Sequence, residues 1–202
     1  MSKWTAIAAS AVVAIGLGAT VVYVMNPFGP KNCDSASVAG GKAAIGGPFT
    51  LVNHKGETVT DKDIITGPTL IYFGYTFCPD VCPLDTARNA EAIDILDARD
   101  LDVLPVFITI DPARDSVSAI SDFVEVIHPR MVGLTGTPEQ IKVASRAYKT
   151  YFLKNGEGED YLMDHSTFTY LMGPDGLWEF FKRDDTPEKI ADAAACFIDQ
   201  KS

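Results

Sequence analysis

Three observations predict an α/β layered domain with helices on both faces of its sheet. They are a continuous β-branched and aromatic run at residues 69–75, helical stretches alternating with further short apolar runs, and a closing hairpin around Gly173-Pro174-Asp175-Gly176. With 202 residues, 47% hydrophobic content and 12 prolines spread along the chain, the composition is that of one buried core plus an appendage. The appendage is N-terminal. No charged residue occurs from Trp4 to Pro30, and residues 5–25 would span about 32 Å as a helix against a hydrocarbon core of roughly 30 Å. One membrane-spanning helix is therefore expected. A cleaved signal peptide fits less well, because its apolar region runs ~7–15 residues and closes on a small-x-small site, unlike Tyr23-Val24-Met25-Asn26-Pro27-Phe28. Lys3 before the span and Lys31 and Lys42 after it leave the orientation open on charge alone. The expected organisation is an anchor at 1–30, a flexible tether at 31–47 and one domain at 48–202.

Within that domain, Phe49 to Val52 and Thr58-Val59 flank a turn near Gly56 and read as a small hairpin. Residues 69–75 follow as a strand buried on both faces, and a helix runs from Pro83, at its first position, to about Arg99. Residues 103–110 form the next apolar strand, ended by Asp111-Pro112, and Ser116 caps a helix to Ile127. Met131 to Leu134 suit a short strand. Thr137-Pro138 opens a helix expected to reach Phe152, followed by a polar loop through 155–160. Phe168 to Met172 and Leu177 to Lys182 make the closing hairpin, and Thr186-Pro187-Glu188 starts the last helix.

The most informative motif is Cys78-Pro79-Asp80-Val81-Cys82, at a strand-to-helix junction. The helix dipole and free amides there favour thiolates, so both sulfurs should ionise readily, with Asp80 opposing. Two thiolates at that spacing can hold a soft ion such as Cu(I) or close into a disulfide, and an imidazole would extend the site to Cu(II). Closed zinc sites want four ligands, which argues against zinc. A redox pair is the competing reading, since thioredoxin-like proteins carry a C-x-x-C pair at this junction, one residue shorter. Of three histidines, His54 in a turn and His128 before Pro129 are expected to be surface residues without a role, whereas His165 lies where the polar loop enters a strand. A lone histidine is more often structural than ligating. The net charge of -10 argues against nucleic acid as a partner. No acid-base constellation suggests a hydrolase.

Tyr72-Phe73-Gly74-Tyr75-Thr76-Phe77-Cys78-Pro79-Asp80-Val81-Cys82-Pro83 closely resembles the signature of the Sco/SenC family of membrane-anchored copper proteins. The likeness continues through Asp111-Pro112-x-Arg114-Asp115, Gly133-Leu134-Thr135-Gly136 and Asp164-His165-Ser166, and covers the chain from about Gly47 onward. The resemblance implies a thioredoxin-like fold with an added hairpin, and copper ligands at Cys78, Cys82 and His165. It implies a role in assembling the binuclear copper centre of cytochrome c oxidase subunit II, by delivering copper, by reducing the target cysteines, or both; a redox or copper sensor is a further alternative. It also implies a single-pass protein with its domain on the outer face of an inner membrane; with no Arg-rich transit segment before the span, a bacterial periplasmic domain is expected, and with it a periplasmic copper donor and a thioredoxin-like thiol reductant. Any enzymatic activity would be thiol-disulfide exchange. Asp80 and Asp164 are candidates for a recognition surface or simply solvated carboxylates. Cys33 and Cys196 depart from the family pattern, and in an oxidising compartment they could pair; buried or free thiols are the alternative.

Overall fold

The computed structural model describes Cys33, Gly41 and residues 44–201. The span expected at 5–25 lies outside the described residues, as does most of the tether. Among the described residues, no helix is long and apolar enough to cross a membrane.

The described residues form a seven-stranded sheet in the order β2-β1-β5-β4-β3-β8-β9, with β1 at Thr50–Asn53, β2 at Thr58–Thr60, β3 at Thr69–Gly74, β4 at Leu104–Thr109, β5 at Val132–Thr135, β8 at Thr169–Gly173 and β9 at Gly176–Phe181. A separate two-stranded sheet pairs β6 (Phe152–Asn155) with β7 (Leu162–His165). β3, β4 and β5 run parallel, β8 runs antiparallel to β3, and the β1–β2 hairpin extends the β5 side. Every residue of β3 is buried, as its unbroken apolar run predicts.

Helices cover both faces, as expected of strands alternating with helices. α2 (Val81–Asp97) and α5 (Pro187–Lys201) share one core cluster, in which Ile93 and Leu96 meet Ile190, Ala194 and Phe197. α3 (Val117–Ile127) and α4 (Pro138–Ala147) bury Ile120, Val124, Ile141 and Ala144 in the other cluster. The short α1 (Asp61–Ile64) precedes β3. The caps read from sequence are in place: Ser116 Oγ accepts the Ala119 amide, and Thr137 and Gln140 form a reciprocal capping box ahead of Pro138. A disulfide joins Cys33 to Cys196 on α5, closing a separation of 163 residues.

Two boundaries differ from expectation, and both bear on the site. α2 starts at Val81, two residues before Pro83, which puts Cys82 inside its first turn and leaves Cys78 in the preceding loop. α4 stops at Ala147 rather than Phe152. Tyr148 turns its ring into the core against Phe73 and Tyr170, Lys149 takes a left-handed conformation (φ 55°), and the Thr150 amide and carbonyl both return to Ser145. Phe152 is thereby released into β6, and the stretch expected as an open loop at 155–160 instead supplies the end of β6, Asn155, and the turn of a hairpin.

Candidate metal centre

β3 ends at Gly74, and the chain turns immediately, with the Cys78 amide donating to the Tyr75 carbonyl. The turn leaves Cys78 Sγ accepting the Cys82 amide at 3.4 Å. The two sulfurs therefore converge through a loop-to-helix hydrogen bond and not as i and i+4 of one helix. Gly74 is required here: a Cβ would lie 2.9 Å from the Tyr72 ring and 3.0 Å from Cys82 Sγ. Thr86 Oγ1 donates to the Cys82 carbonyl at 2.6 Å, fixing the first turn of α2.

The imidazole arrives from the end of β7. His165 Nε2 stands 3.4 Å from Cys82 Sγ, while its Nδ1 sits 2.7 Å from the Ser166 carbonyl. A carbonyl can only accept, so Nδ1 carries the proton and Nε2 offers its lone pair to the sulfurs. Tyr72 and Tyr75 present their rings edgewise to it, with centroids 6.5 and 5.8 Å away. The Cys78, Cys82 and His165 donor atoms all lie within 4.8 Å of one another. Donors bonded to one centre at about 2.3 Å stand at most about 4.6 Å apart, so the set fits a single ion after a shift of tenths of an ångström. Neither cysteine is in a disulfide.

The sulfurs differ in acidity, which corrects the expectation that both ionise readily. The hydrogen bond from the Cys82 thiol, aided by the Cys82 and Asp80 amides, lowers Cys78 to about 4 against burial. Cys82, fully buried, is pushed up because its proton is shared with the Cys78 sulfur and because burial disfavours a second anion. The arrangement favours a single anion in the pair, on Cys78, with the proton kept by Cys82.

Three buried carboxylates support the site, and sequence reasoning gave none of them a role. Asp115 accepts from the Thr76 amide (3.0 Å), the Thr76 hydroxyl (2.6 Å) and the Thr109 hydroxyl (2.6 Å), tying the loop before Cys78 to β4. Asp111 accepts from Arg114 Nε and from the Tyr161 hydroxyl. Asp85 accepts from the Tyr72 hydroxyl at 3.0 Å, and burial raises its carboxyl. A signal for Asp85 existed: with Asn89 it interrupts the helix face that buries Ala92, Ile93 and Leu96.

The other histidines do not join the site. His128 is buried rather than exposed; Nδ1 accepts the Arg130 amide, and Nε2 faces Asp94 at 3.5 Å. Its grouping with Asp94 and Asp97 is accounted for by these contacts and by Arg130, which pairs with Asp97 and Asp102. His54 is half-buried, accepting the Gly133 amide at Nδ1. Asp80 is exposed at the N-cap of α2 with no side-chain capping bond, and Asp164 is exposed, accepting from Asn155.

The SCO1/SenC family model matches residues 37–199. Protein SenC of Rhodobacter capsulatus is 48% identical over 202 residues, covering 98% of this chain and 91% of that protein. Protein SCO1 homolog 1, mitochondrial, of Arabidopsis thaliana is 43% identical over 79% of this chain, which spans only about half of it, 49%. Among solved structures, Arabidopsis thaliana ScoI with copper bound superimposes with a TM-score of 0.73 at 41% identity, over 77% of this chain and 99% of that one. The mixed α/β architecture is thus the thioredoxin-like fold of the Sco structures. With a family match across almost the whole described domain and a full-length relative at near-half identity, the chain belongs to the SCO1/SenC family.

Proposed function

We propose that this chain binds copper through Cys78, Cys82 and His165 and serves the assembly of cytochrome c oxidase, with copper as cargo for the binuclear centre of subunit II. The observation that carries this reading is the convergence of two sulfurs and one imidazole nitrogen within 4.8 Å. The copper in the Arabidopsis structure, 41% identical, supports it. Thiolates suit Cu(I), and the neutral imidazole widens the site to Cu(II). Loading displaces the Cys82 proton, so affinity falls with acidity. His165→Ala in the full-length protein should abolish the thiolate-to-copper(II) absorption and tight Cu(II) binding; an unchanged spectrum and stoichiometry would reject the site.

A second reading, thiol-disulfide exchange on the target cysteines, is favoured by the acidity difference between the sulfurs. The Cys78 thiolate would attack a target disulfide, displacing one target thiolate and forming a mixed disulfide. Cys82, losing its proton, would then attack Cys78 Sγ and release the second, so the target gains two electrons and this pair becomes the disulfide. That reading predicts full oxidase assembly with His165→Ala and none with either Cys→Ser. A closed pair cannot ligate metal, so both readings need a thioredoxin-like reductant, and the first also needs a copper donor. The uncharged run at 4–30 supports a single anchor at about 5–25, and the resemblance to membrane-anchored Sco/SenC proteins supports a domain on the periplasmic side of a bacterial inner membrane. Protease digestion of spheroplasts should remove the domain; protection would reverse the orientation.

A further inference from the structure

Among the described residues, the hairpin that carries His165 shares no strand pairing with the sheet whose β3 leads into the cysteine loop. Apart from its chain connections to α4 and β8, side chains hold the hairpin against the cysteine loop. At the turn end of the hairpin, the Tyr161 hydroxyl donates to Asp111 Oδ1 at 2.7 Å, and the Arg114 guanidinium lies 3.6 Å from the centre of the Tyr161 ring. Arg114 Nε donates to Asp111 Oδ2 at 2.6 Å, and Nη1 donates to the Glu159 carbonyl, in the hairpin turn, at 3.1 Å. The same guanidinium stands 4.9 Å from the ring of Phe77, the residue before Cys78. Its remaining nitrogen, Nη2, is buried without a hydrogen-bond acceptor, so the aromatic faces are what compensate it. One side chain thus touches the cysteine loop, the turn after β4 and the imidazole hairpin.

We propose that Arg114 and Tyr161 are positioning residues that clamp the β6–β7 hairpin to the cysteine loop and so hold His165 Nε2 against the sulfurs. This deepens the copper reading and rests on it. Neither residue supplies a donor atom, and their effect is selective. Two thiolates suffice for Cu(I), whereas Cu(II) depends on the imidazole, so loosening the clamp weakens Cu(II) far more than Cu(I).

The test uses the full-length protein as wild type, Tyr161→Phe, Arg114→Met, Arg114→Lys and His165→Ala, with Cu(II) and Cu(I) affinities from chelator competition and the Cu(II) spectrum. Tyr161→Phe keeps the ring and removes only the bond to Asp111, so it remains informative if Arg114→Met folds poorly. Arg114→Met and Tyr161→Phe should each weaken Cu(II) by about 10-fold and alter its spectrum, while Cu(I) affinity changes by less than about 3-fold. Arg114→Lys should rescue little, because an ammonium lacks the planar fork. Wild-type Cu(II) affinity and spectrum in both variants, with His165→Ala abolishing them, would overturn the clamp. Equal losses of Cu(I) and Cu(II) would overturn it too, as general loosening. If His165→Ala itself leaves Cu(II) untouched, the metal site falls, and the clamp with it.

Discussion

Asp115 gives the sharpest test of how the cysteine loop is held. It is fully buried and accepts three hydrogen bonds, two from Thr76 and one from Thr109. Bonds to a charged acceptor contribute about 1.5–3 kcal/mol each, so a simple sum for three would be about 4.5–9 kcal/mol. Burial works against that sum. It raises the Asp115 carboxyl, so folding favours the neutral form, a contribution present below the ordinary 3.8 and lost as pH rises through the folded-state value. The acceptor lone pairs therefore matter more than the charge. Asp115→Ala strands the Thr76 amide while both hydroxyls can reorient, for a net cost of about 3 kcal/mol. Asp115→Asn keeps one acceptor and lets its amide donate to the Thr76 hydroxyl, for a cost of about 1 kcal/mol. Urea unfolding should show that order with unchanged slopes, and the Ala variant should melt roughly 6–12 °C lower. The gap between wild type and Asn should widen on acidification. Equal losses for Asn and Ala would refute the argument, because the charge itself would then be the stabilising element.

Cys78 should react with a small alkylating agent at a rate that is flat near neutrality and falls with a midpoint near 4; a midpoint near the ordinary 9.0 would contradict the assigned acidity. Because this folded value is lowered, the associated stabilisation is complete above 9.0 and declines as pH drops toward about 4. Gly74→Ala places a methyl 3.0 Å from Cys82 Sγ, so copper affinity should fall by at least about 10-fold even in molecules that remain folded, measurable by chelator competition. Replacing Cys33 and Cys196 by Ser opens a 163-residue loop and should cost about 2–5 kcal/mol in denaturant unfolding, with little change at the metal centre.

The sheet and its helices were legible because their signals are local. The unbroken run of β3, the capping residues Ser116 and Thr137, and the Gly173 to Gly176 turn each state their structure within a few residues. The hairpin carrying His165 was not, because β6 continues the apolar periodicity of α4; only the left-handed Lys149 and the burial of Tyr148, both tertiary facts, break the helix there. The unequal acidity of the two cysteines was hidden for a similar reason: a helix N-terminus favours any one thiolate, and which one is decided by the Cys82 amide donating to Cys78 and by the deeper burial of Cys82. His128 was misjudged because a histidine before proline reads as a helix end, while its burial is set by Arg130 and Asp94, one of them on another helix.

The two halves of the site are held by different forces, and this predicts how they open. The sulfurs hang from β3 and α2, where backbone pairing on both sides of β3 and a dry core resist local unfolding. The imidazole hangs from a hairpin whose strands, among the described residues, pair only with each other, and which reaches the core through Phe152, Tyr161 and Met163. Opening of β6–β7 therefore breaks a few side-chain contacts, while opening of β3 requires global unfolding. Native-state hydrogen exchange should show β6 and β7 amides exchanging well before those of β3 and β4, and added Cu(II) should protect the hairpin far more than Cu(I) does. On the copper reading, His165 is then the first donor to leave, handing an ion held by two thiolates to any target that offers more sulfur. Uniform exchange across β3 and β7, or equal protection by both oxidation states, would show that the imidazole is as firmly fixed as the sulfurs and that release begins elsewhere.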